Sequence, residues 1–464
     1  MKIKTNKILA FLCSLLLCAA VPPPLARAAQ PPEVLGEAAV LMDCTTGKVL
    51  YEKNSRERLY PASITKLMTG LLTAENTQMT DVVTFSHEAV YGIEPGSSHI
   101  AVQEGEQLTV EQCLYGLFLQ SANEVAAGLA EHISGTQAAF AQKMTARAKE
   151  LGCTDTNFVN PHGLHNDDHY TTAYDMALIA REVQTHDELM TIMGTVSYEI
   201  PPTNVQTETR YIHAQNQMIK PPSIYAYDYC LGGKNGFTNE ALNTLVTFAE
   251  KDGVRLLCVV LKENGANAYV DSINLFDYGF ANYQTATVFQ GSEFSLTLPV
   301  QQTYEGKTVS VGEVQLVTNG DLKLTYPKDA GSVTLERQVN CPEVLEAPLS
   351  ADTAVGTLDL YQNKELVGSL SLYPATDVAG YTPEELTVLM RPAALTAAIQ
   401  VGKIALKVLI VVGIAAAVFV LILYLDHRTR KKKYEESYRR RYKARYGVEP
   451  ESIPQPRRRK RSKK

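Results

Sequence analysis

The sequence predicts an α/β or α+β domain, then a small all-β sandwich, then one membrane-crossing helix. Three observations lead there. Strand-like segments stand near both ends of the stretch Val34–Phe280, at Ala38–Asp43 and at Thr244–Lys262, with helical periodicity between them. From Ala286 to Pro374 the chain turns into short β-branched runs separated by Gly, Asp and Asn. Val408–Leu425 is eighteen residues without a charge. As a helix it spans roughly 27 Å, close to the thickness of a bilayer's hydrocarbon core.

Taken in order, Lys2, Lys4 and Lys7 precede the apolar run Ile8–Val21, and Ala26-Arg27-Ala28 supplies a small-x-small cleavage pattern. Residues 1–28 therefore read as a secretory signal. Leu12 and Leu17 precede Cys13 and Cys18, which argues against a lipoprotein signal. Ala38–Asp43 and Lys48–Glu52 read as strands around a turn at Thr45-Thr46-Gly47. Met68–Glu75, Val110–Ile133 and Thr136–Leu151 carry helical spacing, with Ser121-Ala122-Asn123 interrupting the second. Thr244–Glu250 and Arg255–Lys262 flank Lys251-Asp252-Gly253 as a hairpin. A sheet in which the two ends of the domain pair follows from this layout.

The expected strands beyond it are Val288–Leu298, Lys307–Val317, Lys323–Pro327, Ser332–Gln338, Ala354–Gln362 and Glu365–Tyr373. Their even spacing suits a sandwich, and no motif in them carries chemistry. Pro383–Gln400 is expected to be helical, with Pro383 in the first turn. The tail from Tyr434 onward, with Arg439–Arg441 and Arg457–Arg461, reads as a disordered basic segment touching anionic lipid.

Composition narrows the classes. At 464 residues, 45% hydrophobic and 20% charged, the chain is neither disordered nor fibrous and has room for two or three domains. The net charge of −6 conceals a division. Asp426–Lys464 holds 17 basic residues against 5 acidic ones, whereas Ala29–Gly402 holds 21 against 45. An acidic body argues against a nucleic-acid partner. Basic residues directly after an apolar span mark the cytoplasmic side, so the body is expected outside and the tail inside, with membrane lipid as a partner. Six cysteines follow the signal: Cys44, Cys113, Cys153, Cys230, Cys258 and Cys341. They are scattered without a C-x-x-C pair and are expected to be mostly buried thiols, with one disulfide conceivable.

Pro61-Ala62-Ser63-Ile64-Thr65-Lys66 contains S-x-x-K. On a helix, residues three apart share a face, so Ser63 and Lys66 can meet. A lysine whose pKa is lowered by burial or by a second cation can take the serine's proton. Alone, the motif would read as a helix start capped by Ser63. Two further features stand beside it. Ser121 and Asn123 are polar groups within an apolar helix, and Gly232-Gly233-Lys234-Asn235-Gly236 precedes a strand. In order and spacing these resemble the S-x-x-K, S-x-N and K-T-G set of penicillin-recognising serine enzymes.

The likeness extends to Pro61–Gly70, Gly96 through Gly105-Glu106, Phe158–Leu164, Thr171–Asp175 and Asp277–Phe280. Over about Val34–Phe280 the chain resembles the D-alanyl-D-alanine carboxypeptidases of peptidase family S11, the low-molecular-mass penicillin-binding proteins. The later β domain and membrane anchor match the family's usual layout. The resemblance implies a serine β-lactamase/DD-peptidase-like fold and boundaries as follows: signal peptide 1–28, catalytic domain 34–282, β-rich domain 286–380, juxtamembrane helix 381–407, transmembrane helix 408–425 and cytoplasmic tail 426–464. It also implies roles. Ser63 attacks the carbonyl between two D-Ala residues of a peptidoglycan stem peptide, and Lys66 accepts its proton. Ser121 relays a proton to the leaving amine with help from Lys234. Asn123 holds Lys66 and the substrate amide. Lys234, Asn235, Gly236 and Phe237 bind substrate, with the N–H groups of Ser63 and Phe237 as oxyanion hole. β-Lactams would be covalent inhibitors, and no cofactor or metal is implied.

Two positions depart from the family pattern. Asn235 replaces its threonine, and its usual arginine falls on Ala268. Lys234, Arg255 or Lys262 would then carry more of the substrate carboxylate. These departures keep a second reading open, a membrane-anchored penicillin-binding sensor with poor turnover. A β-lactamase is a third, weakened by the lack of a deacylating Glu motif. His162, His165 and His169 with Asp167 and Asp168 have the composition of a metal cluster, but their spacing is not H-E-x-x-H and the turn at Asn160–Gly163 gives them a structural reason.

Overall fold

The computed structural model describes residues 30–391 and 393–455. The expected signal and Arg457–Arg461 lie outside the described residues. Five strands make the main sheet: Ala38–Asp43 (β1), Val49–Lys53 (β2), Cys230–Thr238 (β3), Leu242–Lys251 (β4) and Val254–Glu263 (β5). Their order is β2-β1-β5-β4-β3, all antiparallel. The two ends of the domain pair as expected, with Val40 opposite Val259.

All six residues of β1 are buried, which explains the unbroken apolar run Ala38–Met42 that precedes Asp43. Side chains alternate between the faces of a strand. Ala38, Val40 and Met42 pack with Val259 and Phe248 against the helices that follow β2. Ala39 and Leu41 pack with Val260 and Leu256 against Leu275 and Phe276 on the other face. Those last two residues belong to helix Asn267–Asn282, to which the sequence reading assigns no element. The β4–β5 turn sets Asp252 and Gly253 at φ 51° and 76°, the conformation a two-residue hairpin needs.

Lys66–Asn76 (α1), Val110–Leu119 (α2) and Asn123–Ser134 (α3) form the helical side. A Cβ at Gly70 would collide with the ring of Phe118, so α1 and α2 approach closely. A capping box of Thr109 and Gln112 starts α2. The interrupted helix Val110–Ile133 is in fact two helices. Ser121 sits at φ 60°, where a helix cannot continue.

The described chain divides into two compact units. The first runs to Ser295 and takes in 317–341 and 354–373. There Tyr283–Phe289 pairs with Leu322–Pro327, and Gly356–Gln362 pairs with Glu336–Asn340 and Glu365–Pro374. In the second unit Leu296–Tyr304 pairs with Lys307–Thr318 and runs parallel to Leu345–Glu346. The expected strand Val288–Leu298 is broken by a 3-10 turn at Gly291–Glu293, where Gly291 N donates to Asp321 Oδ1 at 2.9 Å.

The expected helix Pro383–Gln400 is split. Pro383–Leu389 is capped by Thr382 and Glu385, and a second helix begins at Ala393. It continues to Tyr446 and is long and apolar enough to cross a membrane. The tail is therefore not disordered as far as Tyr446. Tyr434, Tyr438, Tyr442 and Tyr446 stand four residues apart, and successive ring centroids lie 6.4, 6.0 and 4.8 Å from one another. Such i,i+4 neighbours support helix. The six cysteines among the described residues are free, with Cys44, Cys113, Cys153 and Cys258 buried and Cys230 and Cys341 partly so.

Candidate active site

Ser63 lies in a 3-10 turn, Ala62–Thr65, not at a helix cap. The turn is held from two sides. Thr244 Oγ1 on β4 donates to Pro61 O at 2.8 Å. Gly163, at φ 87°, presses its backbone so closely that any Cβ there would overlap Ala62 O. Gly236 on β3 faces Ser63 likewise, since a Cβ would stand 2.6 Å from Ser63 N. The edge strand β3 and the serine's backbone N–H thus share one wall.

Lys66 opens α1 and is completely buried. Its Nζ is 3.2 Å from Ser63 Oγ, 2.7 Å from Asn123 Oδ1 and 2.6 Å from His162 O. Three acceptors match the three hydrogens of an ammonium. Burial first, and the charge of Lys234 second, hold its pKa well below the usual lysine value, while Glu124 opposes them. Once neutral, the amine keeps two donors for Asn123 and His162, and its lone pair faces the Ser63 hydroxyl.

Lys234 is also fully buried, and burial lowers its pKa to about 7. It donates to Asn235 O at 2.6 Å. Ser121 is 2% exposed, and its Oγ has no hydrogen-bond partner among the described residues. An unpaired buried hydroxyl costs about 1–3 kcal/mol, which a bound substrate group would offset. The positive φ that splits α2 from α3 is what turns Ser121 toward the cleft. Asn123 N is anchored by Ser98 O at 2.8 Å.

Ser63, Ser121, Asn123, Asn235, Gly236 and Phe237 line one cleft of about 640 Å³. Phe237 is 59% exposed at its mouth. Among the described residues β3 pairs only with β4, which leaves its other edge open to an extended chain. Glu94, His165, Gln215 and Glu240 also line this cleft. His165 stands out in the sequence only as part of the histidine cluster, and no motif marks Glu94, Gln215 or Glu240; Gly96–Glu106 is the one sequence signal near Glu94, and it gives no role.

Ala268 is not among the residues lining the cleft; it is buried in the core beneath its helix. Arg255 pairs with Glu250 at 2.8 Å and Lys262 with Glu37 at 2.8 Å, and neither lines the cleft. Of the three imidazoles in the histidine cluster, His162 and His169 serve the fold. His169 Nε2 bonds Thr65 Oγ1 at 2.8 Å while Nδ1 accepts from Val159 N at 3.1 Å. His162 Nδ1 accepts from Leu164 N at 3.2 Å. Burial pushes both down to about 3. Glu75, Glu182 and His186 also converge, but Arg147 pairs with both carboxylates at 2.7 and 3.2 Å.

A helix-flanked antiparallel sheet, with these residues in one cleft beside its edge strand, defines the penicillin-binding protein class. The sequence model described as D-alanyl-D-alanine carboxypeptidase matches residues 25–265, and that of the penicillin-binding protein 5 C-terminal domain matches 283–379. The chain belongs to the D-alanyl-D-alanine carboxypeptidase family. It is 32% identical to the D-alanyl-D-alanine carboxypeptidase DacF of Bacillus subtilis over 71% of this chain and 82% of that one. Against DacC of Escherichia coli the figures are 30%, 72% and 81%. The crystal structure of penicillin binding protein 5 from Haemophilus influenzae superimposes with a TM-score of 0.61 at 27% identity, covering 76% of this chain and 100% of that one.

Proposed function

We propose that the protein is a serine-type D-Ala-D-Ala carboxypeptidase that trims the terminal D-Ala from peptidoglycan stem pentapeptides and is inhibited by β-lactams. The observation that carries this is Lys66 Nζ, 3.2 Å from Ser63 Oγ in a burial that lowers its pKa and so favours the neutral amine. Neutral Lys66 takes the hydroxyl proton as Ser63 Oγ attacks the carbonyl. The Ser63 and Phe237 N–H groups stabilise the oxyanion, a charge that develops only in the transition state. Ser121 Oγ passes a proton to the departing amine, and Lys234 and Asn235 hold the terminal carboxylate. Asn123 keeps Lys66 in place, and Gly236 leaves room for the serine backbone. Water then frees the shortened peptide. The whole acid–base set favours turnover over a sensor that only binds.

The same reading gives a catalytic domain at 34–282 and a β-rich domain at 286–380, carried by a single membrane span at 408–425. The body lies outside the membrane and the basic tail inside, which the charge step after Leu425 supports. The purified body should release D-Ala from a pentapeptide. Fluorescent penicillin should label it, and Ser63→Ala should abolish both. Labelling that persists in Ser63→Ala would overturn the assignment.

A further inference from the structure

The carboxypeptidase reading leaves the upstream end of the cleft unassigned. Beyond Ser63, Ser121 and Asn123, the ionisable side chains lining it are Glu94, Glu240 and His165. No Lys or Arg lines it among the described residues. The two buried lysines stand behind it, so the cleft is polarised. Lys234 in its charged form is the positive pole behind the cleft, the buried Ser121 Oγ has no partner among the described residues, and the two carboxylates line the cleft itself.

The rim charge is not cancelled by its neighbours. Glu94 has no side-chain partner among the described residues. Glu240 stands between this cleft and an adjoining hollow lined by Arg58 and Lys262. Both of those cations are committed elsewhere, Arg58 to Asp155 at 2.7 Å and Lys262 to Glu37 at 2.8 Å. His165 Nδ1 lies 4.0 Å from the Glu240 carboxylate, and its other nitrogen faces Asp167 at 3.4 Å. The Glu240 side chain is 43% exposed and available to a ligand.

Position along the chain sets what Glu240 can meet. It follows Phe237 by three residues, in the turn that ends β3, so the two backbones are at most roughly 10 Å apart. A peptide lying along the open edge of β3 with its reacting carbonyl at Ser63 places the residue upstream of that carbonyl within such a reach. A long side chain ending in an ammonium would meet the carboxylates there.

We propose that Glu240, with Glu94, selects stem peptides whose residue upstream of the D-Ala pair carries a free side-chain amine. Acylation of that amine, as in a cross-linked stem, removes the charge and the preference with it. The enzyme would then trim uncross-linked stems in preference to cross-linked ones. This rests on the carboxypeptidase reading of the same site.

The test compares three pentapeptides ending in D-Ala-D-Ala that differ only at the third residue: lysine, Nε-acetyl-lysine and norleucine. D-Ala release is followed for the full chain in detergent, for wild type, Glu240→Gln, Glu94→Gln and the double variant. Wild type should favour lysine over acetyl-lysine in kcat/KM by roughly 3- to 10-fold, the range two part-exposed ion pairs supply. The preference should lie in KM and shrink with added salt. It should fall toward unity in the double variant and partly return in Glu240→Asp. Equal kcat/KM for lysine and acetyl-lysine in wild type, or a preference unchanged in the double variant, overturns the selection while D-Ala release upholds the carboxypeptidase. No release from any peptide, together with no penicillin label on Ser63, overturns both.

Discussion

Lys66 and Lys234 share one buried neighbourhood, and the positive charge of Lys234 adds to burial in lowering the pKa of Lys66. The proposed mechanism asks the two lysines for opposite states: Lys66 neutral to accept a proton, and Lys234 charged to hold a carboxylate.

This gives a pH profile with a predictable sign. Lys234 in the free enzyme loses its proton at about 7. The kcat/KM for a D-Ala-D-Ala peptide should thus fall above that pH. A bound carboxylate favours the charged amine, so kcat should hold to higher pH. Lys234→Arg should remove the alkaline fall, because a guanidinium stays charged. A kcat/KM that is flat from pH 7 to 9 in the wild type would count against this division of roles.

Asn235 lines the cleft next to Lys234 and carries an amide where the family pattern has a hydroxyl. Asn235→Thr should raise kcat/KM by about 1–2 kcal/mol, roughly 5–30-fold, the worth of one hydrogen bond to a charged group. The gain should vanish when the terminal carboxylate is amidated. No gain on the free acid would make Asn235 a neutral replacement.

Gly163→Ala should damage both fold and chemistry. Its φ of 87° disfavours any side chain, and the new Cβ would overlap Ala62 O. The Ser63 turn would have to move. We expect at least ~2 kcal/mol of lost stability and a penicillin acylation rate down by roughly 10²-fold, the cost of a 1 Å misplacement. A variant that labels at the wild-type rate would show that the clamp is not needed.

His162 and His169 are held neutral, with pKa values near 3 against an ordinary 6.5. The unfolded chain binds protons in that window and the folded one does not, so stability falls as pH drops from 6.5 toward 3. Each imidazole contributes up to about 3 kcal/mol at pH 4. Urea unfolding at pH 4 and 7 should show the difference, and His169→Gln should lessen it. Identical pH dependence in the two proteins would place the acid sensitivity elsewhere.

Much of the fold is legible in the sequence because apolar period and turn residues mark it. β1, the β4–β5 hairpin and α1 stand where their patterns place them. The site is legible where residue types repeat a known spacing, so Ser63, Lys66, Ser121, Asn123 and Lys234 converge. The remainder depends on conformation. The break at Ser121 needs its positive φ, which no side-chain pattern announces. The helix Asn267–Asn282 carries Tyr269, Ser272 and Asp271 in its early turns, which blur an apolar stripe. Glu240 and Gln215 reach the cleft from loops, where no periodicity operates. Arg255 and Lys262 look available as charges in one dimension and are paired in three.

The free cysteines place a demand on time. Burial pushes the thiols of Cys44, Cys113 and Cys153 up, and that of Cys258 to about 12, so the folded body presents almost no thiolate at neutral pH. That shelter exists only after collapse. With the body outside the membrane, as proposed above, a chain exported unfolded exposes the same sulfurs with ordinary reactivity to an oxidising milieu. Disulfide formation takes seconds to hours. Folding must therefore be the faster of two competing clocks, and any substitution that slows it would first appear as mispaired, covalently trapped protein, with native activity intact in whatever fraction won the race.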